Sequence, residues 1–550
     1  MSLLRLVIGL ALGLAVAAVA APTGAFESSD FNVTEALLDQ GIDISEIPAL
    51  ADFNETAAVE RRSTGSSCSI ACSSLKFIYG SKAVYSRGES TYENFTDSYW
   101  SDNQAQVDPF CVFKPSKGAD VSVAILVARL TQCPFAAKSG GHAAMAGASS
   151  IEGGITISFA NMKDVTLSKD KSVASIGPGN IWGEVFATLT KSDLSVVGGR
   201  LYNIGVGGLT TGGGISYFSN LYGWACDNVD SYDVVTASGV IVRASATQYP
   251  DLFWALRGGG NNFGLVVSFN LKTISLPGGK LWGGSRMYFE DSFLAVENAF
   301  VNIIANSAQD PQAGLYVVYV YSGGAKLVLP ALYHKDPNGG ASSIWADFDA
   351  IPAITDSTKT RVLAEWGAET MNDSPPGLRE VYYVLTIKAD SEILTYAREY
   401  FFETVTTVAD IPGIVPNIVV QGITVPQMQQ MQKSGGNALG LDPNDGPLYI
   451  IQLCGMWTNA SDDDKVYAWM SDILNKVKAA AKAKGVDNDY VYMNYASQFQ
   501  DVVSSYGATN KAKLKSISNK YDPAQVFQKL QPGYFKLDHA PISGSGYFNI

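Results

Sequence analysis

Three glycine clusters and one histidine carry the strongest chemical signal in the chain. Lys138-Ser139-Gly140-Gly141-His142 follows the apolar segment 134–137. Gly205-Val206-Gly207-Gly208-Leu209-Thr210-Thr211-Gly212-Gly213-Gly214 follows 196–204, and Arg257-Gly258-Gly259-Gly260-Asn261-Asn262-Phe263-Gly264 closes the set. Without a Cβ in the way, consecutive backbone N–H groups converge on one anion, which is how phosphate nests form. Three runs between Lys138 and Gly264 point to a cofactor bearing a pyrophosphate; glycine-rich turns of a β protein account for one run well and three poorly. The runs are neither a P-loop nor a Rossmann fingerprint. Gly207-x-x-x-x-Gly212 leads into Gly-Gly instead of Lys-Ser/Thr, and Gly205-x-Gly207-x-x-Thr210 lacks the third glycine. His142 is one of only three histidines, with His334 and His539, and stands directly after Ser-Gly-Gly.

The surrounding elements are short and mixed. Residues 154–160 and 171–176 alternate side chains with the period of a strand, and 231–245 reads as two strands joined by Ser238-Gly239, a hairpin signal. Residues 120–130 read as a helix. Beyond Pro277, β-prone segments such as 314–320 and 446–453 alternate with amphipathic helices. The clearest helix is 461–484. Ser461 with Asp464 reads as a capping box; Val466, Trp469, Met470, Ile473, Leu474 and Val477 keep helical spacing; Gly485 suits a left-handed cap. The 550 residues exceed one ordinary domain. The net charge of −13 argues against a nucleic-acid or anionic-membrane partner, and 47% hydrophobic residues suffice for a large core. The scattered histidines, and a Cys68-x-x-x-Cys72 pair without companions, argue against a metal site.

Residues 1–20 have the shape of a secretory signal peptide, with an apolar run after Arg5 and Ala18-Val19-Ala20 before the cut. Five sequons (Asn32, Asn54, Asn94, Asn372, Asn459) fit a secreted glycoprotein, with no membrane attachment after cleavage, and Arg61-Arg62 could be processed. An oxidising compartment permits a bridge from Cys68 or Cys72 to Cys111; spacing alone does not fix the pairing.

The glycine clusters, with Tyr492-Met493-Asn494-Tyr495, Tyr521-Asp522-Pro523 and Phe527-Gln528-Lys529-Leu530-Gln531-Pro532, resemble the FAD-linked oxidoreductases of the vanillyl-alcohol oxidase / p-cresol methylhydroxylase superfamily. Within it the chain is most similar to the berberine-bridge-enzyme-like group, in its secreted fungal form. The resemblance implies an α+β fold: a two-part PCMH-type FAD-binding domain, and a substrate domain built on an antiparallel sheet covered by helices. The divisions expected are an N-terminal segment 21–104, the FAD-binding domain 105–277, the substrate domain 278–485, and a C-terminal segment 486–550 returning to the FAD domain. FAD would lie against Lys138, Ser139, Gly140, Gly141, His142 and Gly147, then Ile204, Gly205, Gly207, Gly208, Thr210, Gly212, Gly213 and Gly214, with Gly260, Phe263 and Asn494. Its adenine end would lie near Ile241 and Val242.

The resemblance makes His142 the residue bonded to the flavin. Relatives with a second link carry a cysteine four residues before the Gly-x-Gly-Gly element; here that residue is Leu201, so a single attachment is implied. Cys226 lies too far along to substitute and reads as a buried hydrophobe. Ile204 falls where the family places a residue beside the flavin carbon that meets oxygen, and a smaller valine there accompanies oxidase behaviour. The cofactor takes a hydride and the protein must supply a base. Relatives draw a tyrosine from the Tyr-x-Asn-Tyr segment, which makes Tyr495 the candidate base and Tyr492 the second. No glutamate occurs in 434–440, where berberine-bridge enzymes proper would supply one. The expected activity is oxidation of an alcohol- or amine-type carbon of a small organic molecule, with electrons passed to oxygen or another acceptor. A carbohydrate oxidase, or a flavin-bearing binder without turnover, is the alternative.

Overall fold

The computed structural model describes residues 26–51, 64–373 and 375–549. The apolar N-terminus, Asn54 and Arg61-Arg62 lie outside them. Three sheets divide the chain. The first holds four strands in the order Val84–Ser86, Cys111–Phe113, Ile155–Ser158, Phe135–Lys138, the last two junctions parallel. The helix Gly118–Thr131 lies across it, apolar nearly all round and buried along almost its whole length. The second sheet is antiparallel: Val165–Leu167, Val173–Ile176, Leu265–Ser275, Val229–Val235 and Ile241–Ser245, with Leu194–Val196 added to Leu265–Ser275. Ser238-Gly239 sits in the turn between Val229–Val235 and Ile241–Ser245, Gly239 with φ +77°.

The third sheet has nine strands, all antiparallel, from Lys280–Phe289 to Asp487–Asn488. Strict alternation gives it two unlike faces. Ile418, Val420, Leu453, Tyr383 and Leu385 point one way, into a core with the helices Phe293–Ala305, Ser391–Thr404 and Asp463–Lys484. The residues between them face the glycine loops.

The expected helix starts one residue later than its capping box implies. Ala460–Asp462 is a 3₁₀ turn and the helix runs Asp463–Lys484. Its acids go to tertiary partners: Asp463 accepts from Arg379 and from Trp457 Nε1, and Asp464 accepts from the Tyr547 hydroxyl. Gly485 takes the left-handed cap at φ 73°, and the six spaced apolar residues are all buried.

Both ends of the chain correct the simple division. Residues before 105 do more than lead in, since Leu37, Leu75 and the strand Val84–Ser86 belong to the core of the first sheet. The C-terminal segment returns to the glycine loops, where the Tyr506 hydroxyl donates to Gly258 O and Asn262 Nδ2 to Phe535 O. Its last residues, however, turn to the nine-stranded sheet, where Phe548 joins Tyr383 and Phe499. Two disulfides form. Cys72–Cys111 is one of the pairings left open above; Cys68–Cys133 joins a cysteine that its apolar setting did not single out. Both tie the helix Thr64–Tyr79 to the first sheet and its helix, and Cys226 is free and buried.

Candidate functional site

The first glycine loop leaves the strand Phe135–Lys138 and runs straight into the second. A Cβ built on Gly140 would lie 2.5 Å from Gly205 N, and one on Gly205 would lie 2.2 Å from Gly140 N. The two backbones therefore touch with no room for any side chain. Ser139 fastens the crossing: its hydroxyl donates to Pro178 O at 2.6 Å and accepts from Gly207 N at 3.0 Å. Gly205 is also the N-cap of the short helix Val206–Thr211. Among the described residues, the backbone N–H groups of Gly140, Gly141 and His142 donate to no main-chain acceptor. Such a run of unspent donors is an anion nest.

The loop's far side is pinned from a segment to which the sequence assigned nothing. The Ser101 hydroxyl and Asn103 Nδ2 donate to Ala144 O, and Gln104 Nε2 donates to Ala143 O while its Oε1 accepts from Ser149. Trp100 stacks on the His142 ring, 4.0 Å between centroids and 16° from parallel. Burial depresses the His142 pKa to about 4, so the imidazole is neutral near pH 7 and keeps a lone pair. Its Nε2 is buried without a hydrogen-bond partner.

A cavity runs between these loops and the face of the nine-stranded sheet opposite its helices, lined by both. Ser139, Gly140, Gly141, His142, Ile204, Gly205, Gly207, Gly208, Gly260, Asn494 and Tyr495 are brought together on its wall. Across from them the sheet presents Tyr316, Gln421, Gln452, Tyr382 and Cys454. These five are set by register, Tyr316 opposite Gln421 and Tyr382 opposite Cys454. Sequence reasoning missed all five, and also Arg200, which stands beside Leu201 on the wall. Alternation within 314–320 and 446–453 was readable. Which phase of it faced the cavity was not.

Tyr495 is half-buried, and its phenol oxygen accepts from Arg200 Nη2 at 2.7 Å. The same Nη2 donates to Gln421 Oε1 at 3.0 Å. Tyr495 packs edge-on to Tyr382, which in turn leans on Trp100. The strand Asn417–Ile423, paired with Leu448–Trp457, thus offers the amide of Gln421 to the cavity, and the segment 434–440, where an acid was sought, does not line it.

Several expected contacts are corrected. Tyr492 has a fully engaged hydroxyl: it accepts from Gly214 N, Ile215 N and Asn494 Nδ2, each at 3.0–3.1 Å, and burial pushes its pKa well up. It braces the second loop and is no base. Gly212, Gly213 and Gly214 pack under that loop, where a Cβ would strike Asn494, Trp224 or Ala225, and line no cavity. Thr210 is buried and donates to Val206 O. Lys138 turns its ammonium away to Ser98 and the Tyr99 ring, and burial lowers its pKa to about 8. Phe263 and Val242 are core residues, Ile241 is 45% exposed beside Gly118, and Gly147 lies off the wall against Gly533.

Residues 109–245 match the family model for an FAD-binding domain. The chain is 36% identical to an FAD-dependent monooxygenase of Cochliobolus heterostrophus over 80% of this chain and 87% of the relative. It is 32% identical to an FAD-dependent monooxygenase of Emericella nidulans, over 86% and 99%. The chain belongs to the family of these relatives, the FAD-dependent oxidoreductases. Its fold matches berberine bridge enzyme in complex with (S)-reticuline, with TM-score 0.69 at 18% identity over 83% of this chain and 97% of that one. It likewise matches the xylooligosaccharide oxidase of Myceliophthora thermophila, with TM-score 0.68 at 22% identity over 85% and 98%. The cavity suits FAD: it offers a glycine nest for the pyrophosphate, and an orphaned imidazole nitrogen in a largely apolar wall.

One further group in this oxidoreductase has a pH consequence. Glu380 shares the sheet face of Tyr382, is 3% exposed, and its Oε1 has no partner. Burial raises its pKa from the ordinary 4.5 to about 9, so the folded protein holds it as a neutral acid. Between those values the unfolded chain binds fewer protons than the folded one, so this contribution to stability is complete below pH 4.5 and fades as pH rises toward 9. Glu380→Gln should remove that slope, at most about 1.4 kcal/mol per pH unit. In thermal unfolding across that window, the melting-temperature difference should grow in the variant's favour with pH; a constant difference would refute the assignment.

Proposed function

We propose that this oxidoreductase takes a hydride from an alcohol- or amine-bearing carbon of a small organic molecule, a secondary metabolite, with Tyr495 accepting the accompanying proton. The reading rests on one observation: the Tyr495 oxygen accepts from Arg200 at 2.7 Å on the wall of the cavity shared by the glycine loops and the sheet. When bound, FAD supplies the two-electron acceptor. The remaining requirements fall to the chain. The donated Arg200 N–H holds the Tyr495 oxygen on the cavity wall, and in its deprotonated form that oxygen takes the proton released with the hydride. Gln421 shares the same Nη2 and fixes the guanidinium's direction. Tyr382, Trp100 and Tyr316 keep water from the reacting carbon. The names of the relatives, FAD-dependent monooxygenases, support use of oxygen and favour a second reading, oxygen insertion; isotopically labelled oxygen appearing in the product would select it.

We assign the cofactor's covalent attachment to His142, supported by its neutral ring and unpartnered Nε2, and to His142 alone because Leu201 offers no sulfur. Two disulfides and the apolar N-terminus support passage through the secretory pathway. Acid precipitation followed by peptide mass mapping should find flavin on the peptide containing His142 and on no cysteine. Flavin released wholly to the supernatant would refute the attachment.

Tyr495→Phe should slow anaerobic flavin reduction by roughly 10²–10⁴-fold while the flavin stays bound. An unchanged rate would move the base elsewhere on the wall. Ile204 lines the cavity, and in a close-packed site one methylene is felt. The wild type should therefore use oxygen slowly and an artificial acceptor faster, with a gain in oxygen rate for Ile204→Val. Stopped-flow reoxidation in air-saturated buffer compares the two, and equal rates would make Ile204 no gate.

A further inference from the structure

Arg200 has no carboxylate partner among the described residues. It is the only Arg, Lys, Asp or Glu that lines the cavity, and His142 is neutral near pH 7. Its Nη2 spends both hydrogens, on Gln421 Oε1 and on the Tyr495 oxygen. Its Cζ lies 4.5 Å over the Tyr316 ring, and the other groups that act on it are the Tyr333 and Tyr217 hydroxyls. Among the described residues no carboxylate pairs with it. Three other enclosed arginines differ, Arg129 pairing with Glu27, Arg379 with Asp463 and Arg398 with Glu297; Arg257 has no ion pair either, but it lies in the core and lines no part of this cavity.

Removing a guanidinium from water without a counter-charge is costly, and a fold keeps such a group where an anion arrives to meet it. The two hydrogens of Nη2 are spent here and Tyr333 also hydrogen-bonds the guanidinium, but every one of these partners is a neutral oxygen when the cavity holds no ligand. The planar fork matches an oxyanion. Around it the wall is aromatic, with Tyr316 under the guanidinium and Tyr382 and Tyr495 beside it, which suits a flat apolar skeleton.

We propose that the substrate binds as a small organic oxyanion, a carboxylate or an acidic phenol on an apolar skeleton, with its charged oxygen on Arg200. This rests on the reading of the cavity as the substrate site. Held there, the oxyanion fixes the skeleton's register on the sheet and brings the carbon to be oxidised beside Tyr495, whose oxygen the same guanidinium holds.

Benzoate and benzamide, alike in shape and different in charge, form the test. In isothermal calorimetry on the flavin-loaded protein at neutral pH, benzoate should bind about 10²-fold more tightly than benzamide, the size expected for a pair with a desolvated cation. Arg200→Met should abolish the preference while flavin content and visible spectrum stay unchanged, and Arg200→Lys should keep part of it. Equal affinities, no binding of benzoate, or a preference that survives in Arg200→Met would overturn the inference. So would loss of flavin from Arg200→Met, which would make the cofactor the anion. A protein that binds flavin and is reduced by a neutral alcohol, yet shows no anion preference, leaves the proposed function standing and removes this inference alone.

Discussion

The site depends on a backbone-to-backbone contact. Where Gly140 meets Gly205 the main chains of two loops approach until neither tolerates a Cβ, and each loop fixes the other. From one side of that crossing follows the run Gly140–His142 with its unspent N–H groups; from the other follows the helix Val206–Thr211, capped by Gly205. Any side chain at the crossing would separate the nest from the helix start, and with them Ser139, whose hydroxyl bridges both. Glycine here serves close approach more than conformational freedom.

The crossing alone makes half a site. The other half comes from a sheet whose strands lie up to 300 residues further along the chain, and its contribution is decided by alternation. One phase buries Tyr383, Leu453 and Val420 under helices; the other lays Tyr382, Gln452, Cys454, Gln421 and Tyr316 over the cavity. Arg200 is where the two halves are bound together, since a residue of the second glycine segment donates at once to the sheet and to the C-terminal tyrosine. A single guanidinium thereby sets the spacing between the loop that carries Leu201 and Ile204 and the strand that carries Gln421.

Burial tunes the polar groups around this cavity toward neutrality. His142 and Glu380 are both held uncharged near pH 7, the imidazole by a lowered pKa and the carboxyl by a raised one. Lys138, expected against the cofactor, lies behind the loop on aromatic rings. The wall that remains is apolar and nearly charge-free, and in it one cation has an effect that water would otherwise screen.

The sequence by itself determined the class of this protein, because its decisive features are local. Glycine runs, the Ser-Gly-Gly-His order, Leu201 in place of a cysteine and the Tyr-x-Asn-Tyr segment are contiguous, and contiguous residues share a loop whatever the fold does. The hairpin at Ser238-Gly239 and the buried stripe of the helix Asp463–Lys484 were legible for the same reason, being set by periods of two and 3.6 residues. Tertiary structure decided what locality could not: that of two tyrosines lining the cavity Tyr492 spends its hydroxyl on Gly214 and Ile215 while Tyr495 takes the Arg200 N–H, and that Asp463 serves Arg379 more than its own helix. It also decided that Cys68 reaches Cys133, and that Arg200 meets Gln421 and Tyr495 across 221 and 295 residues. Those are long-range pairings. They follow from strand register and loop closure, which no window of neighbouring residues encodes.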